Sequence, residues 1–198
     1  MSAERKYHHG DLRASLLREA RILLAEDGID GLSLRKLADR VGVSRTASYH
    51  HFQDKHALLC ALAAEGFHQL NALGAAAMDG VSLQQGIPAL MRGYLDFALA
   101  DPERYDLMFG RRLWKLAQPT QELRHVAYET FRNYAQRMTV GLGDGRPDRR
   151  ALRLAQASWA TLHGLSHLLI DGIYVDVADM QEVCAVALES LLAAVVRR

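Results

Sequence analysis

Ser33, Ser44 and Asp54 stand at the heads of three helical patterns that follow one another in quick succession, the first two only about two turns long. Each residue type accepts a hydrogen bond from the exposed amides of a first turn. Helices this short do not hold in water alone, so the sequence commits this region to a small bundle whose helices support one another. Leu34 to Arg40 places Leu37, Ala38 and Val41 inward and stops at Gly42. Val43 makes the turn, and a second short helix runs from Ser44 to about Phe52. A longer one runs from Asp54 to about Met78.

The rest of the chain has the same period. Leu12, Leu16, Ala20, Leu23 and Leu24 form one stripe of a first helix over about 10–26, ended by Asp27-Gly28. Beyond Gly80, helices are expected over about 83–100, 102–115, 120–142, 149–174 and 177–196. Asp144 to Pro147 reads as a loop, and Tyr174-Val175-Asp176 as a tight connection. No segment alternates apolar and polar residues as a strand would. The expected fold is all-α with about nine helices: an N-terminal three-helix bundle over 1–60, fused to a larger helical domain over 61–198.

The sequence has 198 residues, 49% of them hydrophobic and 24% charged, which suits a globular chain with a substantial core. Its 24 Lys+Arg against 23 Asp+Glu leave a net charge of +1, which at first argues against a nucleic-acid partner. Cys60 and Cys184 lie in apolar helical patterns and read as buried free thiols. The start carries no apolar leader run, and the apolar stretch 154–175 is broken by Gln156, His163, His167 and Asp171. A cytoplasmic protein without a membrane span is expected.

Residues 33–52, SLRKLADRVGVSRTASYHHF, have the layout of a helix-turn-helix. Ala38 is small where the second helix must cross the first, and Gly42 and Val43 form the turn. Arg35, Lys36 and Lys55 sit in first turns, where a cation opposes the helix macrodipole by up to ~1 kcal/mol. A duplex phosphate there turns the conflict into attraction, since amides and cations converge on one anion. The helix from Ser44 is then the recognition helix, with Arg45, Thr46 and Ala47 toward base edges and Tyr49, His50 and His51 placed for phosphate or packing contacts. Adjacent His50 and His51 cannot face one side of a helix, so they make a poor metal site.

This stretch resembles the DNA-binding domain of the TetR family of transcriptional regulators, over about residues 10–65. The order A-x-x-x-G-V-S-x-x-x-x-Y-x-H-F-x-x-K is complete from Ala38 to Lys55. The resemblance implies a homodimer whose recognition helices enter successive major grooves of a pseudo-palindromic duplex operator, with a C-terminal body that binds a small-molecule effector. It places Ser33, Tyr49, His50 and Lys55 at phosphate-contacting positions, and Arg45, Thr46 and Ala47 at base-facing ones. The chain departs from the family pattern at His50, where Arg is frequent, and at Ser48, where Leu or Pro is common. The leader YHHGDLR also resembles a start seen in many members, with Lys6, Tyr7 and His9 in reach of the backbone or minor groove.

The C-terminal part is similar to a subclass named for a Trp-His-Gly signature, through WATLHG at 159–164 and PERYDLMFG at 102–110. An effector pocket among the fifth to eighth helices has Phe109, Trp114, Tyr128, Phe131, Trp159, His163 and His167 available to line it; the same aromatics can simply fill a core. His163 and His167, four apart on one helix face, are only two ligands, so no metal or cofactor is expected. Leu162, Leu165 and Leu169, with Val183, Ala187, Leu191 and Val195, exceed what one face needs and suggest a two-fold interface.

No phosphate loop, nucleophile motif or carboxylate pair points to an enzyme. The expected function is a DNA-binding regulator, a repressor released by an effector. The alternative is a constitutive DNA-binding protein with no effector response. Residues 1–60 hold ten Lys/Arg against eight Asp/Glu, and five of the nine histidines (His8, His9, His50, His51 and His56). So small a surplus predicts a binder that relies on a few well-placed cations.

Overall fold

The computed structural model describes residues 9–142, 149–173 and 176–196. Nine α-helices and one π-helical turn account for the regular structure among these residues, with no strand. Two compact units form, and they do not follow chain order. One takes in Met1–Gly66 with Glu103–Arg124; the other takes in Phe67–Pro102 with His125–Arg198.

The first unit begins with α1 (His9–Gly31), which is interrupted at Gly28, where φ is 66°. Regular helix thus ends where Asp27-Gly28 predicts, and one further turn follows. Leu16, Leu17, Ala20, Leu23 and Leu24 are buried along it. In α2 (Leu34–Val41), the Lys36 amide donates to Ser33 Oγ at 3.2 Å, and Gly42 closes the helix at φ 75° with its N–H on the Ala38 carbonyl. A side chain is strained at that φ, which is why glycine ends the helix. In α3 (Arg45–His51), the Ala47 amide donates to Ser44 Oγ at 3.1 Å. Asp54 caps α4 (Lys55–Met78), its Oδ1 accepting from the Ala57 amide at 2.7 Å.

The helix expected over 102–115 is two elements. α6 (Pro102–Phe109) stops before Gly110, and a π-helical turn occupies Arg112–Leu116, closed by the Ala117 amide on the Arg112 carbonyl. The Trp114 indole N–H donates to the Met108 carbonyl at 2.6 Å, occupying an acceptor at the end of α6. Gly66 on α4 lies against Met108, whose sulfur would be 2.3 Å from an added Cβ.

The second unit holds the rest of α4, then α5 (Leu83–Ala100), most of α7 (Gln121–Leu142), α8 (Arg149–Ile170) and α9 (Val177–Val196). α8 packs on both α5 and α9. It ends four residues before the predicted 174, because Gly172 (φ 71°) lets the Ile173 amide reach back to the Leu168 carbonyl. The expected 144–147 loop, Tyr174-Val175, and the leader residues Lys6 and Tyr7 lie outside the described residues, as does the His9 side chain. Cys60 and Cys184 are free and buried. Burial pushes the Cys184 thiol up to about 11, so it is no nucleophile at neutral pH. No helix among the described residues is long and apolar enough to cross a membrane.

Candidate nucleic-acid interface

α2 and α3 pack on each other, and α2 on α1. Ser48 fixes α3 from its inner side. It is fully buried, and its Oγ bonds the Arg45 carbonyl at 2.8 Å and the Leu34 carbonyl at 3.4 Å. A hydroxyl where the family favours an apolar residue is therefore satisfied. Phe52, also buried, ends α3 and carries the Arg13 guanidinium 5.5 Å from its ring centre.

With Ser48 inward, the opposite face of α3 is open. Arg45, Thr46 and His50 are exposed and Tyr49 is 54% exposed, while Ala47 is half-buried. Ser33 and Ser44 are exposed at the neighbouring helix starts. The candidate cations divide into two sets. Arg35 and Arg45 have no ion-pair partner among the described residues. Lys36 Nζ sits 2.6 Å from Asp27 Oδ2, so the conflict of a cation at a helix start is relieved within the protein. Such a surface pair contributes about 0–1 kcal/mol and yields readily to a phosphate. Arg40, on the same helix, pairs with Glu26 and Glu19. Lys55 Nζ lies 3.5 Å from the Asp30 carbonyl, a weak contact that leaves its charge uncancelled. Asp30 instead receives Arg112, at 3.2 Å.

The histidines divide likewise. His50 is exposed and His51 half-buried, whereas His56 Nε2 is 2.8 Å from the Gln118 carbonyl and 3.5 Å from Cys60 Sγ.

The residues expected to line a pocket do not all belong to one unit. Phe109 and Trp114 are in the first; Tyr128, Phe131, Trp159, His163 and His167 are in the second. Tyr128 is exposed. Trp159 is ringed edge-on by Tyr94, Phe131 and Tyr134, with ring centres 6.2, 5.3 and 5.1 Å away. Tyr134 bonds Ser158 Oγ at 2.6 Å, and burial pushes its phenol up to about 12. The cavity beside this cluster is about 10 Å³, barely room for one water. No group of three or more metal-ligating side chains occurs among the described residues.

His163 and His167 meet edge-on with ring centres 4.6 Å apart. Burial, aided by His167, pushes His163 down to about 4. Well above pH 6.5 its imidazole is neutral in both folded and unfolded chains. As pH falls from 6.5 toward 4, the unfolded chain takes up the proton first, so stability falls. Thermal midpoints measured across that window should drop more steeply for the wild type than for His163→Gln; parallel curves would refute this reading.

The apolar residues of α8 and α9 face two ways. Leu162 and Leu169 are buried within the single chain, so they pack its own core rather than standing ready for a partner. Leu165 and Ala187 are half-buried, and Val183 and Val186 are exposed. The side chains of Leu191 and Val195 lie outside the described residues.

Residues 16–62 match the family described as bacterial regulatory proteins, tetR family, and residues 87–191 match the tetracyclin repressor-like C-terminal domain. The latter stretch contains Trp159, His163 and Gly164. The transcriptional repressor AcnR of Corynebacterium glutamicum is 42% identical over 99 residues, which are 50% of this chain and 46% of that protein. The chain thus matches about half the length of this curated relative. A protein of unknown function from Rhodococcus sp. RHA1 is 34% identical, with a TM-score of 0.80, covering 96% of this chain and 98% of that one. A TetR variant from Acinetobacter baumannii AYE, in complex with minocycline, shares the fold at 22% identity and a TM-score of 0.63, covering 96% of each chain. Family models over both the helix-turn-helix and more than half of the chain leave one assignment: the protein belongs to the TetR family of transcriptional regulators.

Proposed function

We propose that the chain is a homodimeric transcriptional repressor that binds a pseudo-palindromic operator and is released from it by a small-molecule effector. The open face of α3 carries this reading: Arg45, Thr46, Tyr49 and His50 are exposed together on a helix anchored from behind by Ser48. Arg45, Thr46 and Ala47 would read base edges, while Ser33, Arg35, Lys36, Ser44, Tyr49, His50 and Lys55 would hold the flanking phosphates. The two-fold contact would use α8 and α9, where Leu152, Val183 and Val186 leave apolar surface exposed. The repressor sense follows the named relative, and the effector sense follows the family's habit and the minocycline-bound neighbour.

Selection from random duplex DNA tests the DNA-binding reading and should return sequences with two-fold symmetry. On the selected site, Lys55→Ala should weaken binding to all sequences alike and lower the salt slope by about 1 per subunit. Undiminished affinity and slope would remove Lys55 from the interface. The closely filled aromatic centre around Trp159 favours a second reading, a DNA-binding protein with no effector. Operator affinity that no metabolite changes would support that one.

A further inference from the structure

A cleft of about 550 Å³ opens at the end of α4, between the turn 79–82 and the second half of α7, wholly within the second unit. That volume falls within the range of small-molecule sites, in contrast to the void beside Trp159. Met78, Val81 and Leu83 give it apolar surface, while Asp79, Asn133 and Arg137 give it polar groups.

Arg137 is the anchored group. Its side chain is 18% exposed, and its Nε donates to Asp79 Oδ1 at 2.7 Å. Nη1 approaches Asn71 Oδ1 at 3.4 Å, an oxygen that also accepts from Asn133 Nδ2 at 3.2 Å. Asp79 on the turn and Asn71 on α4 thus hold the guanidinium, and these contacts use only two of its five N–H donors. Asp79 is the looser partner. It is 59% exposed, on a turn that Gly80 carries through φ 79°. The base of the turn is held closely, since a Cβ on Gly86 would lie 2.9 Å from the Ala77 carbonyl oxygen. A largely buried cation with spare donors faces a solvent-exposed carboxylate that another anion can replace.

We infer that this cleft binds a small organic anion, a carboxylate or a phosphate ester with a short apolar portion, whose charge displaces Asp79 from Arg137. The inference rests on the effector-released reading only for what binding does to DNA; the binding itself stands without it.

Calorimetric titration of the full chain with benzoate, phenyl phosphate, inorganic phosphate and uncharged benzamide tests it. One or both aromatic anions should bind, the tighter one naming the head group, and benzamide should not. Asp79→Asn removes the internal competitor and should tighten binding by about ten-fold. Arg137→Gln should weaken it by at least about ten-fold, and Arg137→Lys, which keeps charge without the planar fork, should fall between. The inference is overturned if neither aromatic anion binds at up to about 10 mM, if benzamide binds equally, or if Arg137→Gln binds as the wild type does. Should Arg137→Gln fail to fold, Asp79→Asn at its exposed position decides alone, and unchanged affinity overturns the site. A gel-shift arm separates the two readings. An anion that binds without changing operator affinity leaves the site standing and removes its effector role. A chain that binds the anion and no duplex defeats the DNA reading instead.

Discussion

Arg45→Ala is expected to weaken binding to the selected operator by about 1–3 kcal/mol per half-site, twice that for a two-fold site. Arg45 opens α3, is exposed, and has no ion-pair partner among the described residues, so no competing bond within the protein need break when it meets a base. The helix should survive the change. Its cap is the Ser44 hydroxyl on the Ala47 amide, and the Ser48 hydroxyl bonds the backbone carbonyl of residue 45, which alanine keeps. Lysine should not restore the loss, because a point charge cannot make the two parallel bonds that a guanidinium makes to guanine. Gel shifts on sites permuted one base pair at a time should show preference relaxing at one position per half-site, with the salt slope nearly unchanged. A uniform loss over all sequences, with the slope down by about 1 per subunit, would reassign Arg45 to a phosphate.

The contrast with Lys36 marks how far the sequence could be read. Both residues looked like cations at helix starts, and the local pattern could not distinguish them. Asp27, which binds Lys36, lies on α1 and meets it only through tertiary packing. The short helices were legible because Ser33, Ser44, Asp54 and Gly42 act on their own neighbours, within three or four residues. The end of α6 was not, because the Trp114 indole that occupies the Met108 carbonyl comes from the following turn. The same limit hid the cleft, since Asp79 and Arg137 meet across 58 positions of sequence. Aromatic content suggested a pocket around Trp159, but ring-to-ring packing fills that space, which no periodicity reveals.

Net charge becomes informative once its pairing is known. Lys36, Arg40 and Arg112 are tied to carboxylates, leaving Arg35, Arg45 and Lys55 as the cations of the first unit best placed for an outside anion. The near balance of +1 leaves the chain little net attraction for a polyanion, so non-specific duplex affinity should be correspondingly low.

Leu37→Ala is expected to cost about 2–5 kcal/mol of stability and to abolish operator binding without touching a DNA-facing side chain. α2 has eight residues, too few to persist without packing, and Leu34, Leu37 and Ala38 are its buried ones. Leu37 is 0% exposed, so truncation removes its full burial and leaves a cavity where α1 and α3 flank α2. Losing the Lys36–Asp27 pair on the same helix would cost only about 0–1 kcal/mol, so the core rather than the surface pair holds the motif together. Leu37→Met, close in volume, should lose less than about 1.5 kcal/mol and retain DNA binding. The second unit has its own core, so the damage should stay local. Hydrogen exchange should show α2 and α3 amides losing protection while those of α5 and α8 keep theirs. Equal loss in both units would mean that the chain unfolds as one cooperative body, and a cost under about 1 kcal/mol would mean that contacts other than Leu37 position the recognition helix.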